Sequence, residues 1–233
     1  MMVNLVLAAS AFAILHLLVS GTPLRGALVR RLGEGPYRGV FSLATLVTLV
    51  WMARSYSAAF ASDNIWLWHW RMAQHAAAPI MLVAFLLAVP GIASRNPASV
   101  GQERVLQGDS EARGVQRITR HPFLWGVAIW AAFHIAANGD VASIVLFATF
   151  LIVAVIGTRS IDRKRSRALG AVWTAYEART SNVPFAAIAQ GRNRLVLREI
   201  GWWRPLLALA LFALVVTLHP RLFGAYPLPG MAD

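Results

Sequence analysis

Six histidines stand in or beside the strongly apolar stretches of this chain: His16, His69, His75, His121, His134 and His219. An imidazole inside hydrocarbon is costly unless something binds it, and a metal or haem iron is one such partner. Cysteine is absent, which removes disulfides, iron–sulfur clusters, thiolate-ligated haem and zinc–thiolate sites. Histidine is the strong nitrogen ligand that remains.

Each imidazole has a simpler use to weigh. His69, among Trp66, Trp68 and Trp70, fits an aromatic belt at a membrane surface. His219 precedes Pro220 at a helix end. His121 precedes Pro122, which suits a first helical position, so it can cap a helix or meet lipid phosphate as readily as it serves chemistry. His75 and His134 sit within apolar runs, where a polar ring must find a partner.

The elements that position these residues are apolar helices. With 58% hydrophobic and 14% charged residues, the composition is that of an integral membrane protein. Apolar runs ended by Gly, Pro or charge predict an all-α bundle of about six spans near 3–20, 38–57, 72–92, 122–137, 141–158 and 203–220, forming one domain over residues 1–233. A cytoplasmic interfacial helix is expected at about 160–180, where Ile161, Arg165, Leu169, Val172, Trp173 and Tyr176 recur at helical spacing. The first span has no basic start and carries His16, so it reads as a helix rather than a cleaved signal.

The net charge of +12 is placed by side. Four Arg fall in 21–39, five in 93–121, and ten Lys or Arg in 159–204, against Arg54, Arg71 and Arg221 elsewhere. The positive-inside tendency then puts both termini outside, N-out and C-out, with the arginines facing membrane lipid head groups rather than nucleic acid. Asp63 and Asp140 are expected at the outer surface. Glu34, Glu103, Asp109, Glu111, Asp162, Glu177 and Glu199 are expected on the inner side, so no carboxylate pair is expected at mid-membrane for proton transfer. No Gly-rich phosphate loop, G-x-S-x-G elbow or H-E-x-x-H helix occurs in the sequence.

Depth constrains which histidines can share a ligand. His16 lies roughly 6 Å from the inner end of its helix, and His134 roughly 20 Å above His121. His75, near the outer end of the third span, comes close to the level of His134. Depth therefore pairs His75 with His134.

The run Thr119-Arg120-His121-Pro122-Phe123-Leu124-Trp125-Gly126, followed by Trp130, His134 and Asn138-Gly139-Asp140, resembles the NnrU family of bacterial membrane proteins. Its relatives include the 15-cis-zeta-carotene isomerases. Further matches are His16 with Ser20-Gly21 and Arg25, Gly33-Glu34-Gly35-Pro36-Tyr37-Arg38-Gly39, and Trp173 with Ser181-Asn182-Val183-Pro184-Phe185. The resemblance implies a multi-pass protein of the bacterial inner membrane, tied to nitrite and nitric oxide metabolism in denitrification. In the isomerase branch it implies haem b held by histidines and cis–trans isomerisation of a lipid-soluble substrate. By position those ligands fall on His134 and His16, with His75 a rival partner and His121 a further cofactor-binding candidate. Ala131 stands where the isomerase branch carries cysteine.

Two other readings stand beside it. One is a non-enzymatic assembly or regulatory factor whose histidines bridge helices. The other rests on Arg120-His121-Pro122 with Gly126, Gly170, Trp173 and Tyr176, a pattern similar to isoprenylcysteine- or phospholipid-type membrane methyltransferases, which implies S-adenosylmethionine at the cytoplasmic face. Leu124 departs from that pattern, as do Arg163, Lys164 and Arg165 where it favours an acidic pair.

Overall fold

The computed structural model describes every residue except 63, 71, 100, 101, 103–105, 107–111, 232 and 233. The sequence expectations for Asp63, Arg71, Glu103, Arg104, Asp109 and Glu111 lie outside the described residues.

Among the described residues the fold is all-α. The helices are α1 (Met2–Ile14), α2 (Leu24–Leu32), α3 (Glu34–Ser62), α4 (Ala73–Ala93), α5 (Pro122–Asn138), α6 (Val141–Leu169), α7 (Ala171–Arg179), α8 (Ala186–Ala189) and α9 (Trp203–Phe223). Five are long and apolar enough to cross a bilayer: α1 with its extension to Val19, α3, α4, α6 and α9. The fourth expected span, α5, is apolar but shorter, at 17 residues. This is a multi-pass membrane protein by length and composition. Along α9, Leu206, Leu207, Leu209, Leu214 and Val215 are exposed, the surface of a helix that faces lipid rather than water.

The chain forms two compact units, Met1–Arg71 with Ala131–Ser160 and Met72–Trp130 with Ile161–Asp233. Helices α5 and α6 contribute to both.

In the first unit, α1 packs on α3 and α6 through Leu5, Ala8, Ala9, Phe12, Met52, Ala59 and Ala142. Small residues on α1 let the helices approach closely. The start of α6 is closed by the extended segment 64–68. The amide of Val141 donates to Ile65 O at 3.0 Å, that of Ala142 to Asn64 Oδ1 at 3.1 Å, and that of Ser143 to Asp140 Oδ1 at 2.9 Å. A helix start leaves its first amides without partners, and these acceptors supply them. Asp140 is fully buried as this cap. Gly139 turns the chain at φ +72, and a Cβ there would lie 2.2 Å from Trp68 O, so this turn requires glycine.

In the second unit, α4 and the first half of α5 touch backbone to backbone. A Cβ on Gly91 would lie 2.7 Å from Phe123 N, and one on Gly126 would lie 2.6 Å from Ala84 O. Pro122 opens α5, where its fixed φ suits the helix and its missing N–H is not needed. Trp173 and Tyr176 of α7 are fully buried with Ala98, Leu106 and Ala112, each burial contributing about 1.5–3 kcal/mol.

The interfacial helix expected over 160–180 is two helices. α6 continues through its charged residues to Leu169, and Gly170 at φ +53 breaks the ladder before α7. Gly adopts that dihedral at no steric cost, so it ends one helix and aims the next.

Candidate functional site

His16 occupies an unusual backbone. After Ile14 the helix widens into a π-turn, Leu15–Val19, in which Ser20 N donates to Leu15 O at 3.0 Å. The π-turn closes the helix, a place where such turns occur. His16 Nδ1 lies 2.8 Å from Phe12 O. A carbonyl can only accept, so Nδ1 carries a proton, and in the neutral ring the lone pair is then on Nε2. That hydrogen bond also orients the ring, as outer-shell carbonyls do for metal-binding histidines.

Aromatic rings surround both intramembrane imidazoles of the first unit. His16 lies 4.3 Å from Phe12 and 5.6 Å from Phe41, centre to centre, and Phe12 lies 5.4 Å from Phe150. His134 stacks on Phe147 at 4.7 Å and meets Phe133 edge-on at 6.1 Å. Phe147 and Phe150 are three residues apart on α6, a rise of about 4.5 Å. His134 thus rests directly on α6, whereas His16 rests on Phe12 and Phe41, and it is Phe12 that meets α6 through Phe150.

The other histidines are placed differently. His75 stands exposed on the first turn of α4 in the second unit. His69 is exposed and stacks on Trp66 at 4.9 Å, as a belt residue would. His219 Nδ1 donates to Ala225 O at 2.8 Å.

His121 is only 3% exposed, which takes it away from lipid phosphate. Its Nε2 donates to Asp162 Oδ1 at 2.7 Å. Arg120 grips the same carboxylate with Nε at 2.9 Å and Nη2 at 2.7 Å, and Asn182 Nδ2 adds a bond at 2.9 Å. Glu177 Oε1 meets Arg120 Nη2 at 3.2 Å. Burial holds the His121 ring below its ordinary pKa, outweighing the pull of Asp162 upward. Tyr176, whose hydroxyl donates to Gln116 Oε1 at 3.1 Å, is pushed up by burial.

Asp162 thus accepts four hydrogen bonds, which leaves it spent as a base. The network clamps the residues before α5 to the end of α6 and to the segment after α7. Beside it lies a concavity of 620 Å³ lined by Arg120, Thr174, Glu177, Thr180, Asn182 and Arg192, among others.

Sequence reasoning placed Asp162 and Glu177 on the inner side without joining them to Arg120 and His121. The signal was there: a buried Arg-His pair before a helix needs a carboxylate, and Asp162 is the acidic residue that follows the apolar run of α6. Tyr37, noted only within the Gly33–Gly39 motif, and Thr45 lie on the α3 face that carries Phe41, and sequence reasoning assigned neither a role.

The chain is similar over part of its length to two curated proteins. The chain is 33% identical over 82 residues to the chloroplastic 15-cis-zeta-carotene isomerase of Zea mays, covering 35% of this chain and 22% of that protein. It is 31% identical over 115 residues to that of Arabidopsis thaliana, covering 48% of this chain and 31% of that protein. The matched region thus spans less than a third of either relative's length. No solved structure matches the chain. The model of the family described as NnrU protein matches residues 4–227, nearly the whole length, and the chain belongs to the NnrU family.

Proposed function

We propose that the protein is an isomerase-like membrane enzyme acting on a conjugated, lipid-soluble substrate, with haem b held in the first unit by His16 and His134. The observation that carries this reading is His16 itself: a π-turn histidine whose Nδ1–H is engaged by Phe12 O, which in the neutral ring leaves Nε2 as the ligating nitrogen. His134, against Phe147, is the partner assigned to it within the same unit.

The donor set suits haem better than a bare ion. Among the described residues no group of three or more His, Cys, Asp or Glu comes together to hold a metal. Haem would bring most of its iron's donors with it, so His16 and His134 would be enough to hold it, and neutral imidazole is a common protein ligand to it. Phe12, Phe41, Phe147 and Phe150 offer the apolar surface that a porphyrin and a polyene both require. Bound there, haem b would supply a redox-active iron next to an isomerisable double bond. The chain's own part is to orient His16 through Phe12 O and to exclude water with aromatic rings.

Location and topology belong to the same proposal. The protein sits in a bacterial inner membrane with six spans, α5 being the short one, and with both termini outside. The names of the two curated isomerases support the reaction class. A denitrification-linked role would place the same haem in nitric oxide or nitrite metabolism, and no structural observation favours it over isomerisation.

The test is direct. Purified in detergent after expression with ample haem, the protein should show a Soret band, which His16→Ala and His134→Ala should each shift or abolish. It should also convert the cis polyene 15-cis-zeta-carotene, read by chromatography. A purified protein without a Soret band sinks the haem reading, and a haem-loaded protein inert toward the polyene points to the assembly or regulatory role.

A further inference from the structure

Residues 21–39 of the first unit carry Arg25, Arg30, Arg31 and Arg38 against a single carboxylate, Glu34. Its Oε1 is shared by Arg25 Nη2 at 2.6 Å and Arg38 Nε at 2.8 Å. Positive charge is therefore in excess here, and it calls for an anion.

Beside this charge lies a buried hydroxyl without a partner. Tyr37, on the first turn of α3, is 6% exposed, and its OH makes no hydrogen bond. The Arg25 guanidinium lies over its ring, 5.5 Å from the centre. Tyr37 stacks on Phe41 at 5.9 Å, and Phe41 meets His16 edge-on. Thr45, the next residue of this i, i+4, i+8 face, also buries a hydroxyl oxygen without a partner. A dry hydroxyl with no partner is unfavourable in proportion to the hydration it has lost. Both lie on the helix face whose Phe41 meets His16, and the Tyr37 hydroxyl beside Arg25 marks a place where a ligand completes the bonding.

We infer that Tyr37 and Arg25 receive a carboxylate of the same ligand whose iron His16 holds, an inference that rests on the haem reading. In haem b those carboxylates are the propionates. Tyr37 O–H donates to one oxygen, Arg25 supplies the charge, and Phe12 and Phe41 flank the apolar ring between carboxylate and iron. The ligand is thereby oriented, with its acidic edge toward α2 and its apolar body among the phenyl rings. Tyr37 is a positioning residue and does not touch the iron.

The experiment compares wild type and Tyr37→Phe, each reconstituted with haem b and with haem dimethyl ester, and follows haem transfer to apomyoglobin. With haem b, Tyr37→Phe should keep the Soret maximum of the wild type and lose haem roughly tenfold faster. With the dimethyl ester, which has no carboxylate to bind, the two proteins should lose haem at the same rate. Without haem, Tyr37→Phe should melt at the wild-type temperature or above it, because the hydroxyl has no partner in the protein.

Equal loss rates with haem b overturn the inference. So does a Soret shift like that of His16→Ala, which would put Tyr37 at the iron, or a lower melting temperature of the haem-free variant, which would assign the hydroxyl to packing. A wild type without any Soret band overturns the haem reading and this inference together, whereas a normal band with an unaffected Tyr37→Phe overturns this inference alone.

Discussion

His121 donates its Nε2 proton to Asp162 across 2.7 Å in a site where the imidazole side chain is 1% exposed and the carboxylate 13%. The ring is held neutral by burial, so the compensating positive charge for Asp162 comes from Arg120, which binds it through two nitrogens. Two neighbouring residues of the Arg-His-Pro motif thus divide the work: one neutralises the carboxylate, the other adds a neutral hydrogen bond beside that of Asn182.

Replacing Asp162 by Asn should be severe. Arg120 would be left buried with only Glu177 beside it, and breaking a buried pair costs about 3–5 kcal/mol. Thermal unfolding in detergent should show a large drop in melting temperature. Adding Arg120→Met to Asp162→Asn should recover part of the loss, because it removes the stranded charge. A double variant that melts no higher than Asp162→Asn alone would mean that Arg120 is not the group left unpaired.

The same site predicts how stability follows pH. The folded pKa of His121 lies below its ordinary value of 6.5, so the unfolded chain binds the proton first. Its contribution is complete above about pH 6.5 and is lost as pH falls from there toward the folded pKa. Glu199 titrates in a lower window. Arg117, at 2.6 and 2.8 Å, holds its carboxyl below the ordinary 4.5, so its contribution is lost only as pH falls below about that value. Melting temperature measured from pH 8 to 3 should fall in two stages, with His121→Gln flattening the first and Glu199→Gln reducing the second.

Hydropathy was a good guide to where α3, α4, α5 and α9 lie, because each is an apolar run ended by Gly, Pro or charge. It was a poor guide to where α6 ends. Arg163, Lys164, Arg165 and Arg167 are strong helix formers, so the helix continues past the apolar run until Gly170 at φ +53 stops it. Bilayer thickness and helix length are different quantities, and α6 exceeds the first by reaching Asp162. The π-turn at His16 leaves no trace in composition. The buried place of Asp140 depends on residues 64–68 meeting the start of α6, a long-range pairing that no local pattern records. Of the candidate site, the histidines were legible as residues, but their neighbours were not, since ring contacts such as Phe12 on Phe150 are tertiary facts.

Close helix contact in the second unit gives a sharp mutational contrast. A Cβ at Gly126 would lie 2.6 Å from Ala84 O and 2.8 Å from Ala88 Cβ, so Gly126→Leu must push α5 away from α4. Overpacking of this kind costs about 1–3 kcal/mol, and more where backbone must move. At Gly39, inside α3, nothing lies within 4 Å of such a Cβ. Gly39→Ala should leave stability unchanged or raise it by up to about 1 kcal/mol, the gain from helix propensity. Melting of both variants in one detergent tests the pair, and the prediction fails if Gly126→Leu is as stable as wild type.

Orientation can be read chemically because the chain has no cysteine. Ser62, at the end of α3, and Ala171, at the start of α7, are both exposed, so a cysteine at either should react freely once reagent reaches it. Lys and Arg are concentrated in 21–39, 93–121 and 159–204, and such segments are retained on the cytoplasmic side. Ser62→Cys should therefore be labelled in intact spheroplasts by a membrane-impermeant maleimide, and Ala171→Cys only after lysis. Because α4, α5 and α6 lie between these two sites, the opposite-side result requires α5 to cross despite its 17 residues. A tilt-free helix of that length spans about 25 Å, near the lower limit for a bilayer crossing, and local thinning of the membrane can absorb the mismatch. Labelling of both cysteines in intact spheroplasts would show that α5 turns back within the membrane, leaving five crossings and placing Ala171 outside.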